Sequence, residues 1–430
     1  MRSPTIDLNN AIEKSIFLLG AGASYGTKNK RTGCKMSGEM FKSLEELLKE
    51  PIKLGNSEVE AETYRFLLST LQYQSSWKTF EKNAKFIFSP NIEELALIIR
   101  RIKNRDNYLP YPLTGNWADK LILLESQYKS ENGQSLFSKL EVQLKNELLP
   151  KWLEIDQESL NYLEPLANLM NSQSLINPIE CFSLNYDQTI EIFLNKKHNV
   201  KPYCGFVSGE WKGPFQKDTT GFDKLNLYKL HGSLNWVRIS DSGEAKEIDT
   251  LNEIEKKDID ERHNPYIIFG HGTKTFSFDP FFSLISKFKK LLSDRLYIFA
   301  IGYSFFDPYI NNLIIEALNQ DPFRKLIIVN PRFGPEDSIN HDSDKHNIRT
   351  INGKKASLEL SEYIEEVQKD SFYSEQPEFN IQKINGDERI RFMKIGFDEF
   401  LEHYFNNNGE EFISVIENYE LLRDKMEKPF

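Results

Sequence analysis

Three short stretches combine residue types that do chemistry with positions at the ends of apolar runs. The first is Gly20-Ala21-Gly22-Ala23-Ser24, which follows the run Ile16 to Leu19. A buried strand that breaks into two glycines one residue apart makes a tight turn, and glycine lets main-chain N–H groups come close to a phosphate. The ligand such a turn suits is a dinucleotide pyrophosphate lying over it. A plain tight turn after a core strand is the competing reading, because short glycine patterns arise by chance. The second stretch, Asn185-Tyr186-Asp187, closes the run Ile179 to Ser183. Polar residues at the carboxyl end of a strand sit where open parallel sheets bind ligands, although these two also serve as ordinary helix caps. The third is Leu230-His231-Gly232-Ser233-Leu234-Asn235-Trp236, where alternating apolar residues from Leu225 lead to a histidine and a glycine. A lone histidine at a strand end is more often structural than catalytic, so the weight of His231 comes from its flanks.

Elements that would position these residues are legible from periodicity. A short entry helix over Asp7 to Lys14 precedes the first strand. A polar loop with Lys28, Lys30, Arg31 and Lys35 follows the bend, more in keeping with a solvated surface than with phosphate contacts. Ser37 is the expected N-cap of a helix carrying Met40, Phe41, Leu44 and Leu47 that stops at Pro51. From about Val59 to Met170 the pattern is mostly helical, with Asn91 and Glu94 as a capping pair, a helix over Trp117 to Tyr128, and one over Leu136 to Leu149 ended by Pro150. Glu93 and Glu94 fit the macrodipole of a first turn better than a pocket. Strand character returns at Tyr266 to Phe269, at Leu296 to Ile301 before Gly302-Tyr303-Ser304, and at Lys325 to Val329 before Asn330-Pro331. Amphipathic helices lie between them, one over Leu284 to Leu292 and one begun by Asp307 and Pro308. Alternating strands and helices imply an α/β fold: a doubly wound, Rossmann-like parallel sheet with an inserted helical subdomain and a mostly helical C-terminal extension. The expected domains are 1–331, with the helical insertion at about 57–172, and 332–430. The latter carries helical patterns at Leu358 to Val367, Phe397 to Phe405 and Phe412 to Met426 and has open roles in partner docking or self-association.

Composition narrows the class. The chain has 430 residues, 39% hydrophobic and 13% aromatic, enough for a sizeable core. A net charge of −10 argues against whole-surface attraction to nucleic acid. Three cysteines, Cys34, Cys181 and Cys204, exclude a disulfide framework and a four-cysteine zinc site. The polar residues Met1 to Lys14 do not read as a signal peptide, and no apolar run is long enough for a bilayer. The expectation is a soluble cytoplasmic protein with no membrane partner and no direct nucleic-acid binding.

Taken together, Gly20-Ala-Gly22-Ala-Ser24, Asn185-Tyr186-Asp187, Leu230-His231-Gly232-Ser233-Leu234-Asn235-Trp236, Gly302-Tyr303-Ser304 and Asn330-Pro331 resemble the sirtuin-like NAD-binding family, in the family's order. The protein-deacylating members carry a four-cysteine zinc module and an Asp-Phe-Arg segment after the glycine turn, and this chain has neither. Its Asn-Tyr-Asp and Leu-His-Gly-Ser-Leu-Asn-Trp forms look like the divergent bacterial branch that serves in antiphage defence by destroying NAD+. The resemblance implies an NAD+ glycohydrolase that uses NAD+ as substrate and needs no metal. It implies that Asn185 orients the ribose and a water and that His231 is the general base. Asp187 would contact the ribose or be structural. Gly20, Ala21, Gly22 and Ser24 would hold the pyrophosphate, Gly302, Ser304 and Asn330 would lie along the adenosine half, and Ala23, Gly232 and Tyr303 would complete the cofactor site. It further suggests a homo-oligomer, with control by self-assembly or by a HerA-type hexameric ATPase. A non-catalytic module sensing NAD+ or ADP-ribose is the alternative, and a protein deacylase or ADP-ribosyltransferase a weaker one.

Overall fold

The computed structural model describes residues 6–27, 29–50, 57–81, 90–104, 116–129, 133–215, 224–238, 244–248, 265–269, 278–305, 307–331, 390–393 and 395–427. Lys28, Pro51, Gly270, much of the charged stretch 240–264 and the helical pattern at Leu358 to Val367 lie outside them. The chain forms two compact units: Met1–Gly33, Ile155–Ile267 and Phe276–Phe430 make one, and Cys34–Glu154 with Ile268–Thr275 the other.

The first unit is built on a six-stranded parallel sheet. Its strands are β1 (Ser15–Leu19), β2 (Ile179–Ser183), β5 (Leu225–Lys229), β9 (Tyr297–Ile301), β10 (Lys325–Val329) and β11 (Ile390–Met393), in the order β11-β10-β9-β1-β2-β5. Strands β1, β2, β5, β9 and β10 are buried along their whole length, as a sheet covered on both faces requires. One face carries Phe17 of β1 and Phe299 of β9, level in the register. The C-terminal helices Phe397–Tyr404 and Glu410–Glu427 close it: Phe17 meets Phe405 and Phe412 at 5.7 and 5.9 Å, and Phe299 meets Phe400 at 5.9 Å. On the opposite face Phe182 packs on Phe288 of the helix Phe281–Asp294, ring centroids 4.8 Å apart. The α/β doubly wound fold with C-terminal helices is therefore the observed one. Strand β11 is an addition; four residues that include Arg391 give too short a period to read as a buried strand.

A second, antiparallel sheet forms around the strand that follows the histidine. It has the order β3-β4-β7-β6-β8, with β3 Phe206–Val207, β4 Glu210–Trp211, β6 Gly232–Arg238, β7 Ala245–Glu247 and β8 Pro265–Ile267. The run at Tyr266 thus pairs antiparallel with β6 instead of extending the main sheet. Phe206, Trp211 and Trp236 fill this small sheet, with Phe206 at 5.0 Å from Trp211 and 4.9 Å from Trp236.

The second unit is helical. Its helices are Ser37–Leu47, Glu58–Glu81, Ile92–Asn104, Asn116–Gln127 and Leu136–Gln143. Asn91 and Glu94 cap each other reciprocally, at 3.0 and 3.2 Å. Helix Ser37–Leu47 starts at the expected cap itself: Met36, one residue earlier, is the N-cap, and Glu39 accepts from its N–H at 2.9 Å. The helix from Leu136 does not end at Pro150. A π-turn over Leu144–Leu148 carries it into Leu149–Trp152, and the wider turn accommodates a proline without an N–H.

Candidate active site

The chain runs from β1 outward through β2 and β5, then returns to the other side of β1 for β9, β10 and β11. The carboxyl ends of β1 and β9 therefore form a topological switch point, where an open parallel sheet leaves a crevice. The bend Gly20 to Ser24 leaves β1 here as a 3₁₀ turn over Ala21–Ser24. Gly20 N–H donates to the Ile301 carbonyl at 2.9 Å and Gly22 N–H to the Gly302 carbonyl at 3.0 Å.

The glycines answer first to a crossing of two main chains. A Cβ on Gly20 would stand 2.6 Å from the Gly302 oxygen and from the Tyr303 Cα, and one on Gly22 would stand 2.8 Å from the Gly302 Cα. Left-handed backbone is used on the partner side, at Gly302 with φ +60, whereas Gly20 is extended at φ −105. Gly232, at φ +81, has the same kind of reason: its Cβ would run into the Tyr266 carbonyl across β6 and β8.

Register then sets the neighbouring strand ends. Ser183 is level with Leu19 on one side and Lys229 on the other. Asn185 and His231, each two residues farther on, leave adjacent strands that lie about 4.8 Å apart. Both are buried. The Asn185 Nδ2 donates to the Gly20 carbonyl at 2.9 Å and to Ser24 Oγ at 2.8 Å. A carbonyl only accepts, so the amino side of the carboxamide faces the bend. Ser24 Oγ donates onward to Asp187 Oδ1 at 3.0 Å, which also takes the Thr189 N–H at 3.0 Å and the Thr189 hydroxyl at 2.5 Å. Asp187 thereby takes the first N–H of the helix Thr189–His198, whose N-cap is Gln188, and joins the chain Gly20, Asn185, Ser24, Asp187. Tyr162 OH on the Ala23 carbonyl, at 2.9 Å, and Thr32 Oγ1 on the Ser24 carbonyl brace the turn.

Behind Asp187 lies Lys229, 2% exposed, whose ammonium donates to the Asp187 carbonyl and, at 2.8 Å, to Glu191. Burial works against this charge, but the Glu191 and Asp187 carboxylates outweigh it and hold the Lys229 ammonium above its ordinary range. His231 has Tyr186 beside it, ring centroids 6.1 Å apart, and its Nε2 lies 3.1 Å from Asp307 Oδ2. Asp307 was legible only as a helix start, and it does cap Pro308–Gln320; its second oxygen, on the histidine, has no local signal. Tyr303 is buried and its hydroxyl reaches the Asp307 carbonyl at 3.2 Å. Ser304 is exposed, and Asn330 Nδ2 donates to the Tyr303 carbonyl at 3.4 Å. Among the described residues no group of three His, Cys, Asp or Glu is arranged to hold a metal ion, and no helix is long and apolar enough to cross a membrane.

A family model described as a SIR2-like domain matches residues 180–351, fewer than half of the chain. That stretch contains Asn185, Asp187, His231, Gly302 and Asn330; β1 and its glycine bend precede it and enter the same sheet between β2 and β9. No curated protein matches the chain. The fold is thus α/β, Rossmann-like and of Sir2 type, and SIR2-like domains use NAD+.

Proposed function

We propose that this protein is an NAD+ glycohydrolase that splits NAD+ into nicotinamide and ADP-ribose. The observation that carries the reading is the junction of the Asn185 carboxamide with the Gly20–Ser24 bend, one strand away from a buried histidine. In the proposed reaction the bond between the ribose anomeric carbon and the nicotinamide nitrogen breaks. Its electron pair neutralises the pyridinium as nicotinamide leaves, and positive charge develops on the ribose. A water adds to that carbon and His231 takes its proton. Asn185 spends both amino hydrogens inside the chain, so its oxygen is the part that would accept from a ribose hydroxyl or the water. Ser24 likewise spends its hydroxyl on Asp187. Pyrophosphate contacts then fall to the main chain of the bend, beginning at the exposed Ala21. Gly302, Ser304 and Asn330 remain the candidates for the adenosine half.

We read the activity as an antiphage effector that depletes NAD+ under the control of self-assembly or a HerA-type ATPase, with 332–430 as the candidate contact region. The competing reading is a module that binds NAD+ or ADP-ribose and gates a partner without turnover. Nicotinamide release from NAD+ by wild type, Asn185→Ala and His231→Ala, each alone and with the candidate ATPase, tests the first against the second. Hydrolysis by wild type with at least a hundredfold loss in either variant is the expected result. Saturable NAD+ binding without nicotinamide release would favour the sensor.

A further inference from the structure

We infer that Asp307 is a positioning residue for His231: it fixes the ring orientation and holds the imidazole as the Nε2–H tautomer. This rests on the reading of His231 as the base of NAD+ hydrolysis. A helix N-cap needs one side-chain oxygen, and Asp307 Oδ1 supplies it, accepting from the Tyr309 and Ile310 N–H groups at 3.0 and 3.3 Å. Serine, threonine or asparagine would cap as well. What a carboxylate adds is a second acceptor, and Oδ2 lies 3.1 Å from His231 Nε2. Both side chains are buried, at 7% and 9% exposure. An ionised carboxylate only accepts, so the proton in this contact belongs to the ring.

The loop that delivers Asp307 is held from several sides. It starts at Gly302 with φ +60 and passes through Phe305 with φ +56, a left-handed conformation that a bulky residue adopts only where its surroundings impose it. Phe305 is 1% exposed and packs on Tyr303, ring centroids 4.7 Å apart. Asn311 Nδ2 donates to the Phe305 carbonyl at 2.6 Å, and the Tyr303 hydroxyl meets Asn311 Oδ1 at 2.8 Å. The same loop carries Gly302 against the glycine bend, so one segment ties the orientation of the histidine to the turn after β1.

Asp307→Asn is the informative change. Its amide oxygen keeps the cap, which turns the NH₂ toward the imidazole; a donor there demands a lone pair on Nε2 and reverses the tautomer. The experiment is ¹⁵N NMR of protein labelled at histidine, with His231→Ala assigning the resonance, alongside NAD+ kinetics and melting curves. We expect the Nε2–H pattern in wild type and the Nδ1–H pattern in Asp307→Asn. The kcat should fall on the order of a hundredfold with KM within about threefold. Asp307→Ser, which caps but does not reach the ring, should lose the wild-type pattern without reversing it, and stands in if the asparagine variant melts early. An unchanged tautomer in folded Asp307→Asn overturns the inference, as does a reversed tautomer with kcat within twofold of wild type. The NMR needs no turnover. A wild type that never hydrolyses NAD+, yet whose His231 reverses in Asp307→Asn, would sink the hydrolase reading and leave the orienting role in place.

Discussion

Replacing Asn185 by aspartate exchanges one NH₂ group for an oxygen and should convert a pH-insensitive support into a pH-sensitive fault. In wild type the carboxamide donates to the Gly20 carbonyl at 2.9 Å and to Ser24 Oγ at 2.8 Å, from a site only 8% exposed. An ionised carboxylate makes neither bond. Two hydrogen bonds at about 1 kcal/mol net each are lost, and the Gly20 carbonyl left facing another oxygen adds about 1–3 kcal/mol. Asp187 is one hydroxyl away. Burial and that neighbour both push the new carboxyl above the ordinary aspartate value of about 3.9. Protonated, it regains one donor and one of the bonds. The stabilising form is therefore fully present below about pH 3.9 and is lost as pH rises through the raised folded value, with a slope of at most about 1.4 kcal/mol per unit. Urea unfolding of wild type, Asn185→Ala and Asn185→Asp at pH 5, 6.5 and 8 measures this. The aspartate variant should sit within about 2 kcal/mol of wild type at pH 5 and about 3–5 kcal/mol below it at pH 8. The alanine variant should keep a constant deficit. An aspartate deficit that runs parallel to that of alanine across this range would refute the contact geometry at the bend.

Two further outcomes are expected. Gly20→Ala should destabilise by about 1–3 kcal/mol or more, because its Cβ meets main chain at 2.6 Å, whereas Gly38→Ala, with nothing within 4 Å, should stabilise by about 0.5–1 kcal/mol; thermal unfolding of the pair reads the opposite signs. In the helical unit Glu141 lies 2.7 Å from Lys103, 2.9 Å from Lys145 and 3.3 Å from Arg100. Burial alone would raise its carboxyl, but Lys145, Lys103 and Arg100 outweigh it and bring it down to about 2. Its stabilisation is thus present above the unfolded value and lost as pH falls through about 2. Glu141→Gln should cost about 3 kcal/mol at pH 7, with the deficit closing below pH 4.5 in urea titrations.

Much of the framework was readable because its causes are local. The short, largely apolar runs Ile179 to Ser183 and Lys325 to Val329 coincide with β2 and β10, and Asn91 with Glu94 closes the expected capping box. Elements whose identity depends on a distant partner were not readable. Tyr266 and Ile267 have the apolar character of any buried strand, but β6 draws them into an antiparallel sheet. Nothing local marks Lys229, which is a buried cation between the Asp187 carbonyl and Glu191. The glycine bend was legible as a turn, while the reason for its glycines, the main chain of Gly302, lies far along the sequence.

What the sequence determined alone is the set of buried strands and the polar residues that close them, because burial and period act over a handful of neighbouring residues. The tertiary structure decided which closures meet. Inserting β1 between β9 and β2 brings Gly20 against Gly302 and Asn185 against Gly20, and the return of the chain through β9 brings Asp307 to His231. Strand order is settled by crossovers and by which faces the aromatic helices cover, and neither leaves a periodic mark in the residues that end up touching.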